Sequence, residues 1–119
     1  ELDVYDRLIV GDIVDILSSS KEKYDLFIAL DVFIYIGELT KIFKTIRNCC
    51  NKNAFFIFSI ESQMDDGYSL LKTVRYSHSE KYILKTASDG FKLIESQEVK
   101  LRKEKEGWID GKIFILQAS

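Results

Sequence analysis

Two mostly apolar stretches, separated by one amphipathic segment, constrain the fold of this chain more than any other feature. The first is YDLFIAL at residues 24–30, and the second is AFFIFSI at residues 54–60. Strands that are apolar at nearly every position are typical of parallel sheets covered on both faces. Between them, apolar residues recur every three or four positions over residues 38–50, which predicts a helix with one buried face. The sequence therefore predicts a β-α-β unit.

Further elements are predicted on both sides of this unit. Residues 8–10 (LIV) form a short strand, and Asp12 is placed to cap the helix that follows. Residues 61–78 have no clear period and are interpreted mostly as loop. Ser79 then caps a helix that runs to about residue 89. Together with the central unit, these elements predict a single α/β domain over residues 1–119.

The end of the chain has the pattern of two paired strands. Residues 91–101 form a long strand with mixed faces, and residues 108–117 form a last strand that contains the apolar run IFIL. The charged segment KEKEG lies between them and is interpreted as a turn. We therefore expect an antiparallel hairpin at the C-terminal end.

Composition excludes several classes of protein. The 17 basic and 19 acidic side chains give a net charge of -2, which argues against nucleic acid or an anionic membrane as the main partner. The apolar runs are far shorter than the roughly 20 residues that span a bilayer. The N-terminal segment has no secretory signal pattern, so a cytoplasmic location is expected. The adjacent Cys49 and Cys50 are interpreted as reduced thiols, and His78 is the single histidine, so no metal site is predicted.

One carboxylate, Asp31, follows the first apolar stretch directly and needs an explanation. In an open parallel sheet, ligands bind at the carboxyl ends of the strands. Asp31 stands where the strand is expected to end, so its carboxylate would lie at that edge in contact with water. The apolar residues 27–30 before it would remain in the core.

The motifs described so far resemble those of class I S-adenosylmethionine-dependent methyltransferases. The matching segments are YDLFIALDVFIYIGEL at residues 24–39, LIVGDIVDIL near the N-terminus, FFIFSIE at residues 55–61 and RYSHS at residues 75–79. The set is similar to predicted methyltransferases fused to tetratricopeptide repeats. The resemblance implies a partial, three-layer Rossmann-like sheet with a C-terminal antiparallel hairpin, and it implies S-adenosylmethionine as the cofactor.

The resemblance also implies roles for individual residues. Asp12 would accept a hydrogen bond from the adenine amino group, and the backbone of Ile13 would meet a ring nitrogen. Leu30 and Asp31 would lie along the cofactor, where Asp31 is interpreted either as a carboxylate that contacts the cofactor amine or the methyl acceptor, or as a solvated turn residue. These four residues are the predicted cofactor contacts.

Other residues have a functional and a structural interpretation, and the sequence leaves both open. His78 is a candidate general base, or else packs locally before a helix. Arg75 and Tyr76 are candidates for binding an acidic or aromatic substrate, or else anchor a surface loop. Trp108 is expected to pack in the core or in the hairpin, and KLRKEKE at residues 100–106 is expected to be a solvated turn.

Parts of the family pattern have no counterpart in this sequence. The glycine-rich loop after the first strand and the acidic residue that ends the second strand are both missing. Without the first two strands, the strand at residues 24–30 would be left with a bare edge. The sequence is therefore predicted to be the C-terminal portion of a longer methyltransferase, or to cover the edge as a homodimer or with its shifted N-terminal strand. The alternative is a non-catalytic interaction module that self-associates through this edge.

Overall fold

A computed structural model describes residues 12–105 and 107–119. The predicted strand at residues 8–10 lies outside the described residues. A short 3₁₀ helix, Phe33–Tyr35, follows the first strand. The other elements in chain order are α1 (Ile13–Ser19), β1 (Tyr24–Ala29), α2 (Thr40–Asn48), β2 (Cys50–Glu61), β3 (Tyr68–Leu70), β4 (Tyr76–His78), α3 (Glu80–Ala87), β5 (Phe91–Glu104) and β6 (Gly107–Ala118).

The main sheet has four strands in the order β1-β2-β6-β5. Strands β1 and β2 are parallel and are connected through α2, which confirms the predicted β-α-β unit. Strand β6 lies antiparallel between β2 and β5, so the predicted C-terminal hairpin is also confirmed. The described residues therefore form one mixed sheet within an α/β fold, with a parallel pair and an antiparallel hairpin.

Two helices begin at the residues that the sequence predicted. The Asp12 carboxylate accepts hydrogen bonds from the backbone N–H groups of Val14 and Asp15, at 2.9 and 3.1 Å. The Ser79 hydroxyl accepts one from the Tyr82 N–H at 3.0 Å. Each cap satisfies amide groups that have no partner within the first turn, which is why these residue types occur there.

Phenylalanine side chains form the centre of the core. Phe58 is fully buried and lies 5.3 Å from the ring centroids of Phe33, Phe43 and Phe114, and 4.7 Å from that of Phe56. Side chains of α1, α2 and α3 pack against this same cluster. The three described α-helices therefore cover one face of the sheet, which makes two of the three layers of the predicted fold.

The opposite face of the sheet carries apolar side chains that the described residues leave open. Phe27 pairs with Phe56 on the core side, so Leu26 and Ile28 of β1 point to the other side. Ile28 is 60% exposed, and Leu26 and Phe55 are also exposed. β1 is an edge strand of the described sheet. Within residues 12–105 and 107–119, no strand pairs with its free edge and no element covers its outer face.

Residues 61–78 were predicted to be mostly loop, and most of them lie outside strands, but they also contain the short antiparallel pair β3 and β4. Each strand has only three residues, too few to show an alternating pattern in the sequence. Gly67 and Val74 adopt positive φ angles at the turns, which supports the reversals of the chain. No helix among the described residues is long and apolar enough to cross a membrane.

Candidate functional site

Five charged side chains meet at the carboxyl ends of β1 and β2, and we call them the charged network. Asp31 follows β1, and Glu61 is the last residue of β2. Arg102 and Glu104 come from the end of β5, and Arg75 comes from the turn before β4. Parallel strands bring their carboxyl ends to one edge of the sheet. β5 runs in the same direction as β1 and β2, because β6 lies antiparallel between β2 and β5, so its end lies at the same edge.

Arg102 is the centre of the charged network. Its guanidinium nitrogens lie 3.5 Å from Asp31 Oδ1, 3.7 Å from Glu61 Oε1 and 4.0 Å from Glu104 Oε1. Arg75 forms an ion pair with Glu104. The three carboxylates share two guanidinium groups, so the network has one excess negative charge.

Glu61 is the most buried member of the charged network. The residue is 5% exposed, and its Oε2 atom has no hydrogen-bond partner among the described residues. Burying a carboxylate is unfavourable unless a cation and hydrogen bonds compensate for the lost water. The ion pair with Arg102 supplies only part of this compensation, so Glu61 retains capacity to bind a further positively charged or donor group.

Asp31 is held by its backbone in a conformation that few residues other than glycine adopt. Its φ is 56°, and its N–H donates a hydrogen bond to the Ser59 hydroxyl at 2.9 Å. A left-handed conformation is unfavourable by about 1 kcal/mol for a residue with a side chain. Such residues are concentrated at functional sites, where the surrounding structure maintains them. The Asp31 side chain is directed toward Arg102 and remains 61% exposed.

His78 lies in a separate group of aromatic side chains, which we call the tyrosine cluster. Its ring is 5.9 Å from that of Tyr82 and 6.0 Å from that of Tyr68, and Tyr76 contacts Tyr68. The imidazole Nε2 is 3.0 Å from the Gly37 carbonyl oxygen. His78 has no exposed surface. Burial lowers its pKa, although hydrogen bonds to backbone carbonyls partly oppose this shift.

The lowered pKa of His78 predicts that the chain loses stability on mild acidification. The unfolded state takes up a proton near the ordinary value of 6.5, whereas the folded state resists it. The contribution of neutral His78 to the free energy of unfolding should therefore be fully present above pH 6.5. It should decrease as the pH falls below that value, by at most about 1.4 kcal/mol per pH unit.

Urea unfolding of the wild type and of His78→Gln between about pH 7.5 and 5.5 measures this effect, above the range in which most carboxylates titrate. We expect the free energy of unfolding of the wild type to decrease with pH over this range. That of His78→Gln should not change with pH, even if the variant is less stable throughout. Equal slopes would show that another group is responsible.

The structure brings together some of the predicted site residues and separates others. Asp31 and Arg75 both belong to the charged network. Tyr76 and His78 belong to the tyrosine cluster. Leu30 is exposed beside Asp31. Asp12 and Ile13 lie at the start of α1, where the Asp12 carboxylate caps the helix.

Sequence reasoning missed three members of the charged network. Glu61 ends an apolar strand as Asp31 does, and this parallel was a usable signal. Arg102 and Glu104 lie in the segment that was expected to be a solvated turn, but β5 continues to Glu104 and the Arg102 side chain is only 25% exposed. Trp108 was expected to pack in the core or in the hairpin. It lies in the hairpin, opposite Lys103, and it is not part of the core, because the residue is 57% exposed.

A groove beside the charged network provides space for a ligand. It has a volume of about 440 Å³ and is lined by Glu61 and residues that follow it, by β3 and β4, and by the start of β6. Within residues 12–105 and 107–119, no group of three or more His, Cys, Asp or Glu side chains is placed to hold a metal ion. Cys49 and Cys50 are buried free thiols, as predicted.

No model of a known protein family matches the sequence, and a search of curated proteins found no match. Solved structures do match the fold. One is a SAM-dependent methyltransferase from Methanosarcina mazei, which is 14% identical and has a TM-score of 0.65 over 85% of this chain and 63% of its own. Another, from Clostridium acetobutylicum, is 17% identical with a TM-score of 0.65 over 93% of this chain and 64% of its own.

A third similar structure is the magnesium protoporphyrin IX methyltransferase of Synechocystis with bound SAH. It is 20% identical and has a TM-score of 0.63 over 87% of this chain and 48% of its own. The three similar structures are all methyltransferases, so the described residues have a fold of the SAM-dependent methyltransferase type. This chain spans about half to two thirds of the length of these three structures, and its fold corresponds to part of theirs.

Proposed function

We propose that this chain is the C-terminal part of an S-adenosylmethionine-dependent methyltransferase and supplies part of the site that holds the cofactor and the methyl acceptor. The observation that supports this most is the placement of the charged network and the groove at the carboxyl ends of parallel strands β1 and β2, where ligands bind in open α/β sheets. The open edge of β1 is the place where the remaining strands of the domain would pair.

The residues at this edge are chemically suited to part of the cofactor. Asp31 is exposed enough to accept hydrogen bonds, and the neighbouring Leu30 offers apolar surface. The Asp12 carboxylate already accepts two backbone hydrogen bonds, yet a carboxylate has about four acceptor sites, so it retains capacity for the adenine amino group. The Ile13 backbone at the start of α1 would contact the ring in this proposal.

The cofactor, when bound, supplies an electrophilic methyl group, and this chain would contribute positioning. Asp31 would hold the cofactor at the end of β1, while Arg75 and Tyr76 would orient the acceptor beside the groove. Alignment of the two reactants and exclusion of water account for much of the rate in such transfers. His78, which is fully buried, would act as a base only after the tyrosine cluster opens.

Titration with S-adenosylhomocysteine by calorimetry tests this proposal on the 119-residue chain. We expect saturable binding that Asp31→Asn weakens by about tenfold, because a charged hydrogen-bond acceptor is lost. Asp89→Asn serves as the matched control, since Asp89 is an exposed carboxylate in the turn after α3. The proposed cofactor contact would be contradicted if the folded chain did not bind S-adenosylhomocysteine. It would also be contradicted if Asp31→Asn and Asp89→Asn bound it with equal affinity.

The open edge of β1 supports a second candidate function, a non-catalytic module that self-associates. Leu26 and Ile28 of β1 and the adjoining Leu30 are all exposed, and an unpaired strand is a template for pairing with another chain. This candidate predicts a homodimer, in which two β1 strands join the sheets.

Light scattering measures the mass of the protein in solution, and a dimer is what the second candidate predicts. For the module, we expect a dimer for the wild type and a monomer for Ile28→Lys, because a lysine on an edge strand disfavours pairing with another strand. Met64→Lys is the control, since Met64 is almost fully exposed in the loop between β2 and β3. A monomeric wild type at high concentration would overturn this candidate.

A further inference from the structure

Ser59 lies at the point where β1 ends and β2 continues. The pairing of the two strands ends at Ala29 and Phe58, and β2 extends beyond them to Glu61. Because Phe58 points to the core, the Ser59 side chain points to the opposite face of the sheet. Ser59 is nevertheless only 3% exposed. Its hydroxyl is therefore a buried polar group that needs a hydrogen-bond partner.

The partner of this hydroxyl is the backbone of Asp31. The Asp31 N–H donates a hydrogen bond to the Ser59 hydroxyl oxygen at 2.9 Å. A side chain of β2 thus takes the place that a backbone carbonyl would hold if β1 continued. Without the hydroxyl, this N–H would have to find water or remain unpaired, which is unfavourable where the chain is partly buried.

The same hydrogen bond affects the direction of the Asp31 carboxylate. Asp31 has a φ of 56°, and this left-handed conformation turns the chain away from the sheet shortly after β1. The carboxylate is 61% exposed and lies 3.5 Å from Arg102, and an exposed ion pair of this kind restrains a side chain only weakly. The direction of the carboxylate is therefore set mainly by the Asp31 backbone, and Ser59 holds that backbone.

We propose that Ser59 is a positioning residue for Asp31. Its hydroxyl ends β1, keeps Asp31 in the left-handed conformation and so directs the carboxylate to the carboxyl edge of the sheet. The part of this proposal that concerns the cofactor rests on the proposed function, in which Asp31 contacts S-adenosylmethionine. The effect of Ser59 on the Asp31 backbone does not depend on any ligand and is measured separately.

Amide hydrogen exchange followed by NMR measures this effect in the 119-residue chain without ligand. We expect the Asp31 amide to exchange about tenfold faster in Ser59→Ala, because it loses its acceptor. The coupling constant between the Asp31 amide and α protons, which reports φ, should change as well. Ser59→Thr retains the hydroxyl and should match the wild type in both measurements.

Thr45→Ala is the matched control for the exchange measurement. It removes a buried hydroxyl that donates to the Lys41 carbonyl oxygen within α2, so Asp31 should be unaffected. If circular dichroism shows that Ser59→Ala does not fold, Ser59→Cys takes its place, because a thiol is a weak acceptor. Unchanged exchange and coupling at Asp31 in the folded variant would overturn the proposal.

Affinity for S-adenosylhomocysteine, measured by calorimetry, separates positioning from a general effect on the fold. Ser59→Ala should weaken binding about fivefold in the wild-type background and cause no further loss in the Asp31→Asn background, because the serine acts through the carboxylate. Ser59→Thr should bind as the wild type does. An equal loss in both backgrounds would show that the hydroxyl only stabilises the fold, and the positioning role would be wrong. If the wild type did not bind, the proposed function would fail, and the exchange measurement alone would decide the role of Ser59.

Discussion

Replacing Phe58 with alanine is expected to lower the free energy of unfolding by about 3 to 5 kcal/mol. The Phe58 ring is fully buried and contacts Phe33, Phe43, Phe56 and Phe114. Removing the ring loses buried apolar surface and leaves a cavity among the neighbouring rings. The total stability of a domain is only about 5 to 15 kcal/mol, so the variant should be close to unfolding.

Urea unfolding followed by circular dichroism measures this loss. Phe58→Leu is the matched control, because it retains most of the volume and should lose roughly half as much stability or less. If Phe58→Ala and Phe58→Leu were equally stable, the aromatic cluster would not be the centre of the core.

Replacing Gly111 with alanine is expected to cost about 3 kcal/mol. Gly111 lies in β6 opposite Glu61, and a Cβ atom there would stand 2.5 Å from the Ile60 carbonyl oxygen and from the Leu101 side chain. A backbone oxygen in a central strand cannot move aside without breaking the pairing of β2 and β6. The added methyl group must therefore distort the sheet next to the groove.

Gly90→Ala provides the comparison for this prediction. An added Cβ at Gly90 would meet the Arg47 side chain at 2.7 Å. A side chain can change its rotamer where a backbone oxygen cannot move, although Arg47 would then lose its hydrogen bond to the Gly90 carbonyl oxygen. We expect the thermal midpoint to fall several degrees further for Gly111→Ala than for Gly90→Ala. The same loss in both variants would mean that the β6 backbone adapts to the extra atom.

Local patterns were sufficient for most of the fold because each carries its own physical cause. The apolar runs at β1 and β2 lead to buried strands, and Asp12 and Ser79 cap helices through their own side chains. The β3–β4 pair was not predictable from local pattern, since its short strands are ordered by contacts with residues distant in the sequence, such as the hydrogen bond from Ser79 N to Gly67 O.

The candidate site was predictable only in part. Asp31 was noticed because it is a carboxylate directly after an apolar stretch. The predicted end of that strand then placed it at the carboxyl edge of the sheet. Its partner Arg102 is 71 positions away, a separation given by their numbers in the chain. The pairing depends on the register of β5 against β6, including the shift between Lys100 and Arg102, which no local pattern reveals.

The sequence by itself determined the α/β class, the β-α-β unit, the terminal hairpin and the acidic end of β1, because hydrophobic periodicity and capping act within a few residues. Tertiary structure alone decided that Arg75 and Arg102 join Glu61 and Asp31, that His78 is enclosed by tyrosines, and that Trp108 stands exposed beside the groove. Those outcomes depend on which strand ends share an edge and in what register they pair, and such contacts between distant residues are settled only when the whole sheet is assembled.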